Sequence, residues 1–392
     1  MEEIKKTSKA KIIASAIIPV IILAGMIAYI FGPGANILNF GTPLPEITIE
    51  KIDFLDSKIV ATVRNTGPID VEVVQADVND RIQPAAIEPH KKLSRFETAK
   101  VIIPFEWNKA EPYEIGLTTS DGIRFAKSII AAASTLAPSF EMASYFGIIG
   151  TYVGIIPVMI GLLWFPFIAK MNKNKYKFFL ALTAGLLLFL GIDAIKEGLK
   201  ISVESLSVAF NGQLLVATVV VISFLGLYYS SEKLVSRAAS FALTKPVAIA
   251  LMIAIGIGLH NLGEGLAVGA AIGLGQIALS TFLIVGFTIH NTTEGLAIAA
   301  PMARGRPMIG KLAGMGMIAG VPAIFGAWIG GFVYSPFAAV LFLSVGAGAI
   351  FQVVVSIVRW IRQDEEKTLS NAAVASGFAV GMLVMYLTSI IV

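Results

Sequence analysis

Two stretches hold the residue types that chemistry needs: HNLGEGLAVGAA at 260–271 and HNTTEGLAIAAP at 290–301. The chain has only 3 histidines, and two of them open these segments. Each segment gives His, then Asn, then Glu four residues after the histidine. On an α-helix, positions i and i+4 share a face, which sets His260 beside Glu264 and His290 beside Glu294. Asn261 and Asn291 stand about 100° further round, within reach of a shared cavity. Neutral imidazole and carboxylate suit a divalent transition metal where no thiol is available. The chain has no cysteine, which also excludes disulfides and cysteine nucleophiles.

The elements that position these groups must be read from an apolar chain. Of 392 residues, 56% are hydrophobic and 14% charged, against roughly 25% charged in soluble domains. The mean hydropathy is +0.80. Such a composition predicts an all-α polytopic membrane protein in contact with a lipid bilayer. The net charge of +4 is small and gives no indication of nucleic acid. At mid-bilayer an ionised group costs roughly 2.5–3.5 kcal/mol even on insertion scales, so two carboxylates there need compensation.

The first apolar run, Ile12 to Phe31, follows Lys5, Lys6, Lys9 and Lys11 and precedes FGPGAN, which suits an uncleaved anchor helix. Further runs near 146–168, 177–197, 211–229, 246–273, 276–301, 308–333, 336–358 and 370–391 are each long enough to cross as helices. Positive charge falls on alternate connections: Lys170, Lys173, Lys175 and Lys177; Lys233, Arg237 and Lys245; Arg304, Arg306 and Lys311; Arg359, Arg362 and Lys367. The positive-inside rule then puts the N-terminus in the cytoplasm and the C-terminus outside a cell membrane crossed many times.

Residues 40–130 differ in kind. YEIGLTTSDGIRFA alternates through Tyr113, Ile115 and Leu117, turns at Asp121-Gly122 and returns with Ile123 and Phe125, the signature of a hairpin. VRNTGPIDVEV at 63–73 suggests another, turning at Asn65 to Pro68. A small extracytoplasmic β-sandwich is expected, without an active-site cluster. The domain organisation is thus 1–35 for the cytoplasmic N-terminus and anchor, 40–130 for the β-domain, and 145–392 for the helical membrane part.

Gly265, Gly269 and Gly273 continue at four-residue intervals from Asn261, and Gly295 and Ala299 from Asn291. Small residues at this spacing let membrane helices approach, so the two motif helices are expected to meet through them. A four-ligand metal site then follows. The zinc-protease H-E-x-x-H and the di-iron Glu-x-x-His orders are both absent, so no enzyme is expected. An intramembrane metalloenzyme and a metal-stapled structural protein remain the alternatives.

H-N-x-x-E-G in two successive spans resembles the ZIP family of divalent-metal transporters, over residues 145–392. The resemblance implies an eight-helix transport core and movement of Zn²⁺, Fe²⁺ or Mn²⁺ into the cytoplasm. It places His260, Asn261, Glu264, His290, Asn291 and Glu294 on the transport-site positions. Gly263 stands where the family often has proline, and Ala323 where a sixth-helix glutamate would help hold a second metal. One metal is therefore expected, held mainly by His260, Glu264, His290 and Glu294, with no permanent cofactor. Asp193 and Glu197 lie near the outer end of their span as an entrance for cations or as a solvated helix end. The glycine stripes and the outside domain could each support a homodimer.

Overall fold

Long apolar runs fold as helices in lipid because every backbone N–H and C=O must be satisfied within the segment. The structure, a computed structural model, describes residues 9–31, 44–135, 139–206, 210–241, 243–303, 309–362 and 372–391. Lys5, Lys6, the GPGAN segment after Phe31, Arg304, Arg306 and Lys367 lie outside the described residues. The order is α1 (Lys9–Phe31), nine strands within 47–129, then α2 (Phe140–Gly150), α3 (Ile156–Leu162), α4 (Phe165–Ala169) and α5 (Lys173–Ser205). After these come α6 (Gly212–Ser236), α7 (Lys245–Gly273), α8 (Ile277–Ala299), α9 (Ile309–Gly320), α10 (Pro322–Val333), α11 (Pro336–Arg362) and α12 (Ala372–Ile391). Six stretches are long and apolar enough to cross a membrane: Phe140–Ala169, Lys173–Ser205, Gly212–Ser236, Lys245–Gly273, Ile309–Val333 and Pro336–Arg362. α8, which carries the second motif, is not among these six. The described side chains of α1, from Ile17 to Tyr29, are all exposed, as for a helix meant to be surrounded by lipid.

Two of the long stretches are broken. Between α2 and α3 the backbone makes a π turn at Thr151–Ile155. Pro157, in the first turn of α3, has no N–H to give the carbonyl of Val153 four residues earlier. Pro322 likewise separates α9 from α10. The two breaks abut: a Cβ on Gly154 would lie 2.4 Å from Gly320 O.

The glycine stripes hold a different set of neighbours from the expected one. Cβ atoms on Gly265 and Gly269 would lie 2.1 Å from Ala323 O and 2.2 Å from Ala327 O, both on α10. From the other side, Gly326 and Gly330 face the carbonyls of Leu262 and Leu266 at 2.1 Å each. Gly295 of α8 meets Val158 O of α3 at 2.2 Å. The reason is angular. The stripe begins at Asn261, about 100° round from the His260–Glu264 face, so it cannot point at the same partner as that face.

The β-domain is two antiparallel sheets. Taking strands β1 (Ile47–Leu55), β2 (Lys58–Asn65), β3 (Val71–Val78), β4 (Arg81–Gln83), β5 (Ala86–Glu88), β6 (Lys92–Leu93), β7 (Thr98–Pro104), β8 (Tyr113–Thr119) and β9 (Arg124–Ile129), the orders are β1-β2-β7-β5 and β4-β3-β8-β9, with β6 on β3. The Asp121-Gly122 turn joins the hairpin β8–β9, with Gly122 at φ +82°. The Asn65–Pro68 turn does not make a hairpin; it carries the chain from one sheet to the other. Buried Asn65 fixes that crossing, donating to Ile69 O and Leu93 O and accepting from Gly67 N. Gly116 clears space for the ion pair of Arg124 with Asp77, and the flanking carboxylates raise the Arg124 pKa further. The domain touches the helices through Phe96, whose ring lies 5.5 Å from Phe210, itself 5.4 Å from Phe337.

The packing predicts a contrast between glycines. Gly265→Ala or Gly326→Ala drives α7 and α10 apart and lowers stability by about 1–3 kcal/mol, the range for overpacking. Gly226→Ala, at a site with nothing within 4 Å, is neutral or stabilising. Thermal unfolding of the purified protein in detergent checks both.

Candidate metal centre

α7 and α8 are joined by a short turn, Leu274–Gln276, with Gly275 at φ +70°, and therefore run antiparallel side by side. Their motif residues His260, Asn261, Glu264, His290, Asn291 and Glu294 are all buried. The Glu264 carboxylate is the centre of the arrangement. Its Oε1 lies 2.5 Å from His290 Nε2 and 3.0 Å from His260 Nε2. Its Oε2 accepts from Asn291 Nδ2 at 2.9 Å. Ligand atoms of His260, Glu264 and His290 lie within 4.8 Å of one another, a three-residue group able to hold a metal ion.

This differs in detail from the expected geometry. His290 reaches across to the glutamate of the other helix instead of pairing with Glu294 on its own. Glu294 is buried, and both its oxygens lack a hydrogen-bond partner among the described residues. Asn261 Oδ1 and Asn291 Oδ1 are in the same condition. Leaving buried polar atoms unmatched costs about 1–3 kcal/mol each, and they are few in native proteins. Here four oxygens of that kind belong to the two motifs. Nitrogen and oxygen atoms with unused lone pairs are also what a divalent cation takes as ligands, so the residues present fit such an ion.

The asparagines do a second job. Asn291 Nδ2 donates to Val153 O at 3.1 Å, the carbonyl that Pro157 cannot serve. Asn261 Nδ2 donates to Ala319 O at 3.1 Å, in the last turn of α9, where carbonyls have no donor within the helix. Each motif thus ties one helix to a break in a neighbouring one. Because Nδ2 is committed to a carbonyl, each side chain keeps Oδ1 as its free atom. None of these backbone partners was named from the sequence. Pro157 and Pro322 were the signals available, since proline inside an apolar run marks a carbonyl in need of another donor.

Two further neighbours shape the centre. A Cβ on Gly346 of α11 would stand 3.1 Å from His260 Cα and 3.4 Å from its Nδ1, so glycine there makes room for the imidazole. Phe287 lies edge-on to His290, with centroids 5.3 Å apart. Asp193 and Glu197 are exposed on α5, and Lys200 lies 4.0 Å from Glu197. Burial, aided by Glu197, pushes the Tyr334 hydroxyl pKa up. Gln352 is buried and donates to Ser356 Oγ at 2.8 Å.

No protein-family model matches the chain. No curated protein matches it either. Among solved structures, the archaellum periplasmic stator protein FlaG from Sulfolobus acidocaldarius is similar over 22% of this chain and 100% of its own, at 18% identity and a TM-score of 0.20.

The two roles of Asn291 can be separated. Asn291→Leu strips a donor from Glu264 Oε2 and from Val153 O and lowers stability by about 2–6 kcal/mol, one buried acceptor being worth about 1–3. Adding Pro157→Ala supplies an N–H for Val153 O and recovers part of that loss. A double-mutant cycle from thermal unfolding gives the coupling. Glu294→Gln, which breaks no hydrogen bond, leaves the unfolding temperature unchanged or raises it.

Proposed function

We propose that this chain is a membrane transporter for divalent transition-metal ions, with Zn²⁺ first and Fe²⁺ or Mn²⁺ next, and that it is similar in plan to the ZIP transporters. The observation that supports this most is the buried His260–Glu264–His290 group on two adjacent membrane helices. Histidine and carboxylate together inside lipid are costly, and a cation offsets that cost. The unmatched oxygens of Asn261, Asn291 and Glu294 add ligands for a partly dehydrated ion.

In this scheme α2–α4 and α9–α10 each count as one crossing, which gives eight crossings over 145–392, with α1 as a separate anchor. The lysines and arginines of alternate connections place the N-terminus in the cytoplasm and the β-domain and C-terminus outside. The cation enters from outside past Asp193 and Glu197 and exchanges its waters for His260, Glu264 and His290. It leaves to the cytoplasm as the helices around the site rearrange. Discontinuous helices at a midplane site suit alternating access, and both breaks lie against the motif helices. The protein is not an enzyme in this reading. The metal is cargo and no resident cofactor is required.

A polar staple is the second reading, favoured by the hydrogen bonds that already compensate Glu264. Uptake into proteoliposomes separates the two, with Zn²⁺, Fe²⁺, Mn²⁺, Co²⁺ and Mg²⁺ run in parallel. One or more transition metals accumulate with the unaltered protein, and accumulation is lost in the His260→Ala/His290→Ala protein reconstituted at equal amount. A folded protein that binds and moves none of these ions is a staple.

A further inference from the structure

α11 and α12 both pack on α5, far more than on each other. The contact of α5 with α12 is close: Cβ atoms on Gly377 and Gly381 would lie 2.3 Å from Phe178 O and 2.1 Å from Leu182 O. Where α5 turns towards α11, its residues are small. The result is a cavity of about 340 Å³ between the three helices, lined by Ala181, Ala184, Ile361, Ala375 and Phe378, with Arg362 as the one charged residue among the described lining. Its walls are otherwise aliphatic or aromatic. Arg362 closes α11 and is exposed. No ion pair or hydrogen bond of Arg362 is found among the described residues, although Asp364, Glu365 and Glu366 follow it in the sequence.

From this we infer a binding site for an anionic membrane lipid, with one hydrocarbon chain in the groove and the phosphate at Arg362. An aqueous ligand would find a single polar group there, whereas an acyl chain matches the walls and leaves only its headgroup to be recognised. Guanidinium meets a phosphate through two parallel hydrogen bonds. Basic pockets between membrane helices on the cytoplasmic side are suited to acidic headgroups. None of its described lining residues belongs to either motif, and its occupation does not depend on metal transport.

The test is lipid retention by the full chain in mild detergent. The protein is mixed with equal amounts of phosphatidylglycerol and phosphatidylcholine, and bound lipid is counted by native mass spectrometry. Phosphatidylglycerol is retained about fivefold over phosphatidylcholine, the factor equivalent to one arginine beside a charged lipid. Arg362→Gln, at an exposed position, brings the ratio to about one. Ala375→Leu, also exposed, narrows the groove and lowers the amount of both lipids bound. An unchanged ratio in Arg362→Gln overturns the assignment, as does retention of neither lipid by the unaltered protein.

Discussion

Everything around the two motifs answers to one buried carboxylate. Glu264 is 3% exposed, and a charge so placed is tolerable only with donors or a cation at hand. His290 and Asn291 supply hydrogen bonds from the neighbouring helix, and His260 stands 3.0 Å away on its own. That demand sets the distance between α7 and α8, and through Asn291 it reaches Val153 and the π turn. The hydrogen bonds form a chain from a side chain that could hold an ion to a backbone that cannot be a regular helix.

The two motifs are alike in placement as well as in letters. Each presents its histidine to the Glu264 carboxylate and sends its asparagine sideways to a carbonyl near a proline break. Each then uses glycine, one turn on, to bring that broken helix within backbone contact. A cation held by His260 and His290 would therefore be bound by two helices that are both clamped to a discontinuity.

Much of this was legible in the residues. Apolar run length placed the helices, and the Asp121-Gly122 dipeptide placed the β8–β9 hairpin because Gly122 takes a positive φ. The spacing of His260 and Glu264 put them on one face. What was not legible depends on which neighbour a face meets. The stripe from Gly265 to Gly273 indicates that some helix comes close, and its sequence does not say that α10, not α8, is that helix. Backbone carbonyls such as Val153 O have no residue type to signal them. The Asn65–Pro68 turn has the letters of a hairpin, yet buried hydrogen bonds of Asn65 to Ile69 and Leu93 carry the chain into the other sheet.

The composition of α8 has a consequence for how the chain enters a bilayer. Its middle reads His290, Asn291, Thr292, Thr293, Glu294, five polar residues in succession. A segment like that gains little by partitioning into lipid alone, because the cost of its glutamate and amide offsets its leucines and isoleucines. With α7 beside it, His290 and Asn291 meet the Glu264 carboxylate. The short connection at Leu274–Gln276 keeps the two segments together as they emerge during synthesis. Insertion as a pair would bring His290 and Asn291 into lipid with their Glu264 partner already beside them.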